Sequence, residues 1–196
     1  MTNQTLDITP GVKALIFDCD GTLVDTMPLH WEAWHAAFAA VGVSCPQSLL
    51  DETAGMPAPD ILTLFNERYG HNLDITAVAE DKERRTAEKL KTVGPIQPVV
   101  DLVYRYHGTL PLAVASGGRL AGVETSLRAI GLLGYFDAIF TADDSIQPKP
   151  APDIFLAAAA RLGVAAEACE VFEDGDMGLI GAQKAGMVAT DIRPYL

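Results

Sequence analysis

The sequence has few of the residues on which secreted and nucleic-acid-binding proteins depend. Its 196 residues include only 3 cysteines and no Cys-x-x-Cys pair, so we expect neither a disulfide framework nor a thiolate zinc site. Basic residues are also scarce, because 14 Lys and Arg stand against 26 Asp and Glu, for a net charge of −12. Nucleic acid and anionic membranes would repel such a chain. A small ligand or a metal cation is the better partner.

Long apolar runs and an export signal are missing as well. The longest apolar runs, 36–43 and 154–160, are far shorter than the roughly 20 residues that a membrane-spanning helix needs. The polar first residues lack the cationic head and apolar stretch of a signal peptide. We therefore expect a cytoplasmic protein that does not act at a membrane, as a monomer or weak homo-oligomer.

Short apolar runs alternate with longer helical stretches along the chain. This alternation predicts an α/β fold, a three-layer Rossmann-like parallel sheet with helices on both faces. Glycine follows two of the predicted helices, 120–130 and 152–162, where it favours a helix stop. The predicted strands are 12–17, 110–115, 138–141, 170–172 and 187–192.

The gap between the first two predicted strands is too long for one crossover helix. It contains helical pattern at 28–41, 60–69 and 76–92, interrupted by glycine and proline. We predict that residues 29–93 form an inserted helical domain, and that 1–28 and 94–196 form the α/β core. Glycine and proline near 26–28 and 94–98 mark the expected hinges.

Two carboxylates, Asp18 and Asp20, directly follow the first predicted strand. Ligands of open α/β sheets bind at the carboxyl ends of the strands, where paired carboxylates can face a divalent cation. A simple Asp-Gly turn is the alternative at this point. A calcium loop fits less well, since Gly21 follows too soon and no further ligands come in register.

Three more polar motifs follow later strands. Ser116 and Gly117 offer a hydroxyl and backbone N–H groups suited to an anion, although a glycine turn would look the same. Lys149 is a cation between two prolines, or else an ordinary loop lysine. Glu173 and Asp174 add carboxylates that would repel one another without a cation. Four such motifs in chain order are improbable by chance.

Together the Asp-x-Asp-Gly-Thr, Ser-Gly, Lys-Pro and Glu-Asp motifs resemble those of the haloacid dehalogenase superfamily. The resemblance covers nearly all of 12–192. It implies a Mg²⁺-dependent enzyme whose insertion is a small helical cap. It also assigns roles: the nucleophile Asp18, the general acid and base Asp20, the phosphate ligands Ser116, Gly117 and Lys149, and the metal ligands Asp18, Asp20 and Asp174 with Glu173 in support.

The cap sequence is similar to that of the branch containing sugar phosphatases and β-phosphoglucomutases. The pattern Asp-Thr-x-x-x-His-x-x-x-Trp places His30 at the active-site mouth by this resemblance, and Lys82 matches a cap lysine that contacts substrate. A solvated lysine is the alternative for Lys82 in its charged run. Trp31 and Trp34 more often serve core packing than substrate binding.

Mutases of this branch carry an arginine in the cap where this chain has Ala58. The overall pattern is more similar to bacterial fructose-1-phosphate/6-phosphogluconate phosphatases. We therefore expect a Mg²⁺-dependent phosphatase of small sugar phosphates that forms an aspartyl phosphate, with a small phosphorylated metabolite as its partner. β-Phosphoglucomutase is the runner-up, ahead of a phosphonatase, which needs a Schiff-base lysine, and a catalytically idle binding domain.

Overall fold

The centre of the fold is a five-stranded parallel sheet. The computed structural model describes residues 5–87 and 89–196, so Glu88, which falls in the predicted helix 76–92, lies outside the described residues. The strand order is β3-β2-β1-β4-β5, with all neighbours parallel. The strands are β1 (Ala14–Phe17), β2 (Leu112–Ala115), β3 (Ala138–Phe140), β4 (Cys169–Glu173) and β5 (Val188–Asp191).

Each strand lies within two residues of its predicted position. Strand β2 starts later than expected because Leu110 still donates its N–H to the Tyr106 carbonyl, in the turn after the preceding helix. Strand β4 is longer than expected and carries Glu173 as its last residue. This extension places a site carboxylate directly on the sheet.

The described part of the chain contains eight α-helices, and the last four cover the two faces of the sheet. The sequence did not predict the helices Gln47–Glu52, Gln97–Tyr106 and Asp176–Lys184. Both predicted hinges overlap helices, since one helix begins at Met27 and another at Gln97. Pro28 and Pro98 fit there because proline is tolerated in the first turn. The helices are α1 (Met27–Ala40), α2 (Gln47–Glu52), α3 (Ala58–Tyr69), α4 (Ile75–Ala87), α5 (Gln97–Tyr106), α6 (Leu120–Ala129), α7 (Asp153–Leu162) and α8 (Asp176–Lys184).

Apolar side chains cover both faces of the sheet. Alternate residues of β1 point to opposite faces: Leu15 and Phe17 pack with α5 and α6, whereas Ile16 packs with α7 and α8. The expected three-layer α/β fold is therefore confirmed. The cysteines at 19, 45 and 169 are buried and free.

The helices α1 to α4 build an apolar core of their own. Phe38 of α1 lies at its centre, with its ring centroid 4.6 Å from that of Phe65 and 5.7 Å from that of Trp34. The separate domain at 29–93 remains a prediction. We call 27–92 the helical segment. None of the helices in the described ranges is long and apolar enough to cross a bilayer.

The packing of Phe38 gives a test of this second core. We expect Phe38→Ala to lower the free energy of unfolding by about 3–5 kcal/mol, because it removes a ring that is 0% exposed and leaves a cavity. Denaturant unfolding followed by circular dichroism measures the change. Leu156→Ala on α7, at a side chain 42% exposed, is the control and should change it by about 0.5 kcal/mol. Equal effects would contradict the assigned core.

Candidate active site

The four motifs meet at one edge of the sheet. Asp18 follows β1, Ser116 follows β2, Lys149 lies in the loop after β3, and Glu173 ends β4. Since all strands are parallel, their carboxyl ends lie together and their loops share one crevice. All four of these side chains are buried.

The Lys149 ammonium joins two of these motifs. Its Nζ donates to Asp18 Oδ1 at 2.6 Å and to Glu173 Oε1 at 2.6 Å, and all three side chains are at most 4% exposed. Burial alone would lower the pKa of Lys149, but the charges of Asp18 and Glu173 outweigh it and raise that pKa above its usual range. Lys149 is therefore a permanent cation at the centre of the site.

Three carboxylates share a small volume around this cation. Oxygens of Asp18, Glu173 and Asp174 lie within 4.8 Å of one another. Burial is the main cause that raises the pKa of Glu173 to about 8 and of Asp174 to about 7, and the charge of Asp18 adds to both. One ammonium does not balance three carboxylates. A hard divalent cation fits this oxygen donor set, and Mg²⁺ prefers such ligands.

The first motif holds Asp174 in place. The Thr22 hydroxyl donates to Asp174 Oδ1 at 2.9 Å. Gly21 has a φ of +87°, and a Cβ there would collide with the Asp174 carboxylate. The Asp-Gly-Thr segment is therefore more than a turn, because its glycine makes room for a carboxylate from β4 and its threonine orients it.

The Asp20 carboxylate is turned away from the three-carboxylate group. Its Oδ1 accepts a hydrogen bond from Thr26 at 2.7 Å and lies 3.1 Å from His30 Nε2. Burial would raise the pKa of Asp20, but the charge and hydrogen bond of His30, the Thr26 hydroxyl and the charge of Lys82 lower it to about 2. The structure thus pairs Asp20 with His30, and the expected metal group forms without the Asp20 side chain.

The helical segment lies directly on the Ser-Gly motif. A Cβ on Gly117 would collide with the Gly55 carbonyl oxygen, so only glycine permits this approach. Ser116 Oγ accepts a hydrogen bond from the Gly118 N–H at 3.0 Å, which orients the hydroxyl. The segment and the sheet edge enclose a cavity of about 80 Å³. Its walls include, from the sheet edge, Asp18, Asp20, Ser116, Gly117 and Gly118, and from the helical segment, His30, Trp31, Trp34, Leu50, Thr53, Met56, Ala58, Ile61, Lys82 and Glu83.

The structure distinguishes the alternatives for the residues of the helical segment. Lys82 is not a solvated lysine, because its side chain is 7% exposed and lines the cavity, with Nζ 3.0 Å from Glu83 Oε1. His30 lines the cavity as expected. Trp34 belongs to the apolar core of the segment and also faces the cavity. Substrate contacts of Lys82 and His30 remain predictions.

Sequence reasoning missed several residues that shape the site. Thr22 and Thr26 belong to motifs named from the sequence, but their roles were missed: their hydroxyls donate to Asp174 and to Asp20. Glu83 follows the predicted Lys82, but no local pattern tells which way its carboxylate points. The apolar wall residues of α2 and α3 carry no sequence signal, since only tertiary packing brings them over the site.

The comparison with known proteins covers nearly the whole chain. Residues 12–186 match the family model of haloacid dehalogenase-like hydrolases. The chain belongs to the haloacid dehalogenase-like hydrolase family. This confirms the expected family. 

Relatives of this hydrolase include named phosphatases. It is 41% identical to the fructose-1-phosphate phosphatase YqaB of Escherichia coli, over 91% of this chain and 95% of the relative. It is 31% identical to a phosphorylated carbohydrates phosphatase of Thermotoga maritima, over 90% and 82%. Among solved structures, a CbbY variant of Rhodobacter sphaeroides in complex with xylulose-(1,5)bisphosphate aligns with a TM-score of 0.77 at 28% identity, over 91% of this chain and 84% of the other.

The close approach at Gly117 gives a test of the cavity. We expect Gly117→Ala to lower kcat/KM for a phosphate ester by about 10²-fold, because the new methyl group pushes Gly55 and the helical segment away from the site. Steady-state phosphate release measures the effect. The matched control is Gly122→Ala on α6, where a Cβ meets only Leu90 Cδ1 at 3.6 Å. Full activity of Gly117→Ala would mean that turnover does not need this contact.

Proposed function

We propose that this hydrolase is a Mg²⁺-dependent phosphatase of small sugar phosphates that acts through an aspartyl phosphate. The observation that carries the proposal is the buried Asp18 beside Lys149, with Glu173 and Asp174 close by, where Asp18 lines the cavity under the helical segment. The hydrolysis of phosphoric monoesters follows from the family and from the phosphatases among its relatives. Fructose 1-phosphate is the first substrate to test, because YqaB is named for it.

Asp18, Asp174 and Glu173 would hold Mg²⁺. The bound cation would neutralise charge that a phosphate ester and Asp18 bring together. In the same region Lys149 already offsets part of that charge, and it orients Asp18 through the hydrogen bond to Oδ1. The Ser116 hydroxyl and the Gly117 N–H would bind phosphate oxygens at the same sheet edge.

Asp18 and Asp20 divide the chemistry between them. An Asp18 oxygen forms a bond to phosphorus, and the bond from phosphorus to the sugar oxygen breaks. The negative charge of a bound phosphate would raise the pKa of Asp20 from its low value in the free site. Protonated Asp20 then gives its proton to that oxygen, and the sugar leaves. Water then attacks the phosphorus and gives its proton to Asp20, and the bond to Asp18 breaks. His30 and Thr26, both in contact with Asp20 Oδ1, hold the carboxyl in position.

The division of roles predicts different kinetics for the two aspartates. Asp18→Asn should abolish turnover, by a factor on the order of 10⁴ or more, because it removes the nucleophile. Asp20→Asn should slow both formation and breakdown of a phospho-enzyme by about 10²- to 10⁴-fold. Rapid-quench measurements of the phospho-enzyme separate the two steps. Asp25→Asn, at an exposed residue of the same segment, is the control. Substantial multiple turnover by Asp18→Asn would rule out this mechanism.

Metal removal tests the three-carboxylate group by two measurements. Exhaustive chelation should abolish phosphate release, and added Mg²⁺ should restore it. Mg²⁺ should also raise the thermal unfolding midpoint, because it binds only the folded protein and relieves the repulsion among the carboxylates. Asp174→Asn should remove that shift, whereas the exposed Asp176→Asn should keep it. Full activity after chelation would count against the site.

The runner-up, a β-phosphoglucomutase-like transfer, requires a residue that binds a second phosphate group. Ala58, at the cavity wall, has no charge or hydrogen-bond donor in its side chain and cannot bind it. We expect that β-glucose 1-phosphate with catalytic glucose 1,6-bisphosphate yields little glucose 6-phosphate, while one or more members of a sugar-phosphate panel release inorganic phosphate efficiently. Rapid formation of glucose 6-phosphate without phosphate release would favour the mutase instead.

A further inference from the structure

The side of the cavity formed by the helical segment carries few charged groups. Most of its wall residues are apolar, and its polar residues are His30, Thr53, Lys82 and Glu83. His30 is engaged with Asp20, and the Thr53 hydroxyl donates to the Leu49 carbonyl within α2 at 2.7 Å. Lys82 and Glu83 are therefore the charged pair on this wall that faces the cavity.

These two charges compensate each other. Lys82 Nζ lies 3.0 Å from Glu83 Oε1, and the same ammonium lies 5.6 Å from the centre of the Trp34 ring. The Lys82 side chain is 7% exposed, against 34% for that of Glu83. A buried ammonium beside a carboxylate is a donor and an acceptor in one place, with no net charge. Such a pair suits hydroxyl groups, which both donate and accept, better than a second phosphate, which brings two negative charges.

The charges outside the cavity also disfavour the binding of a second phosphate group. The cavity adjoins an outer cleft of about 470 Å³ that shares Ala58, Glu83 and Gly117 with it. The charged side chains of that cleft are Glu80, Glu83, Arg119 and Asp143. Arg119 is paired with Asp143, with Nε 3.1 Å from Oδ1. The described residues of the cleft thus carry three acidic groups and one paired cation, which repel a dianion.

We propose that Glu83 is the specificity-determining residue that makes this enzyme select polyol monophosphates and reject bisphosphates. The proposal rests on the phosphatase function proposed above, and deepens it by naming the substrate class. Glu83 acts twice: its carboxylate cancels the charge of Lys82, and it is an acceptor for sugar hydroxyls. A second phosphate group on the substrate would be repelled by Glu83, which lines both the cavity and the outer cleft, and Lys82 would already be paired with Glu83.

A matched substrate pair tests the proposal. Fructose 1-phosphate and fructose 1,6-bisphosphate differ only in the second phosphate group. We expect the wild-type enzyme to favour the monophosphate in kcat/KM, and Glu83→Gln to reduce this preference by about tenfold, or about 1.4 kcal/mol. Glu83→Ala should change the preference in the same direction. Glu67→Gln, an equal change of charge at an exposed residue of α3, should leave it unaltered.

Binding measurements keep this test separate from that of the phosphatase function. In an Asp18→Asn background, the fluorescence of Trp31 and Trp34, which line the cavity, reports the Kd of each compound without turnover. The Kd ratio should again shift about tenfold with Glu83→Gln. An unchanged ratio in folded Glu83 variants would overturn the role of Glu83. Failure of the wild type to release phosphate from any sugar phosphate would instead overturn the proposed function, and the Kd ratio would still decide the inference.

Discussion

The buried contact of Lys149 with Asp18 and Glu173 is the interaction on which the site depends. It joins the loop after β3 to the ends of β1 and β4, at two distances of 2.6 Å. Removing one partner of a buried ion pair costs about 3–5 kcal/mol, because the other charge is left without compensation. The same contact therefore holds three chain segments together and orients the nucleophile. Lys149 thus contributes both to the stability of the fold and to the chemistry of the site.

The second constraint is the close approach of two backbones at Gly117 and Gly55. It closes the helical segment over the sheet edge and makes the cavity small. Because Asp18, Lys149 and Glu173 are buried, their charges act more strongly than they would in solvent. The two walls of the cavity then differ in charge. The wall at the sheet edge holds the charged groups around Asp18, whereas Lys82 and Glu83 on the wall of the helical segment form a pair with no net charge.

The fold was largely predictable because its signals are local. Strands buried on both faces appear as apolar runs, and helices end where the chain has glycine, as α7 does before Gly163. The short helix α2 and the helices α5 and α8 were missed. Helix α8 contains Gly178 and Gly181, and α2 has only six residues, so neither has a strong local signal. Their positions come from packing against other elements.

The candidate site, too, was predictable from the sequence only in part. By itself the sequence determined which residues stand at strand ends, and parallel strands must bring Asp18, Ser116, Lys149 and Glu173 to one edge. Only the tertiary structure decided how their side chains pair. Asp20 is near Asp18 in sequence, yet its carboxylate turns to His30, because the first turns of α1 come close to the motif. Such side-chain pairings depend on the directions and the desolvation of the side chains, and both arise from contacts between residues far apart in the chain.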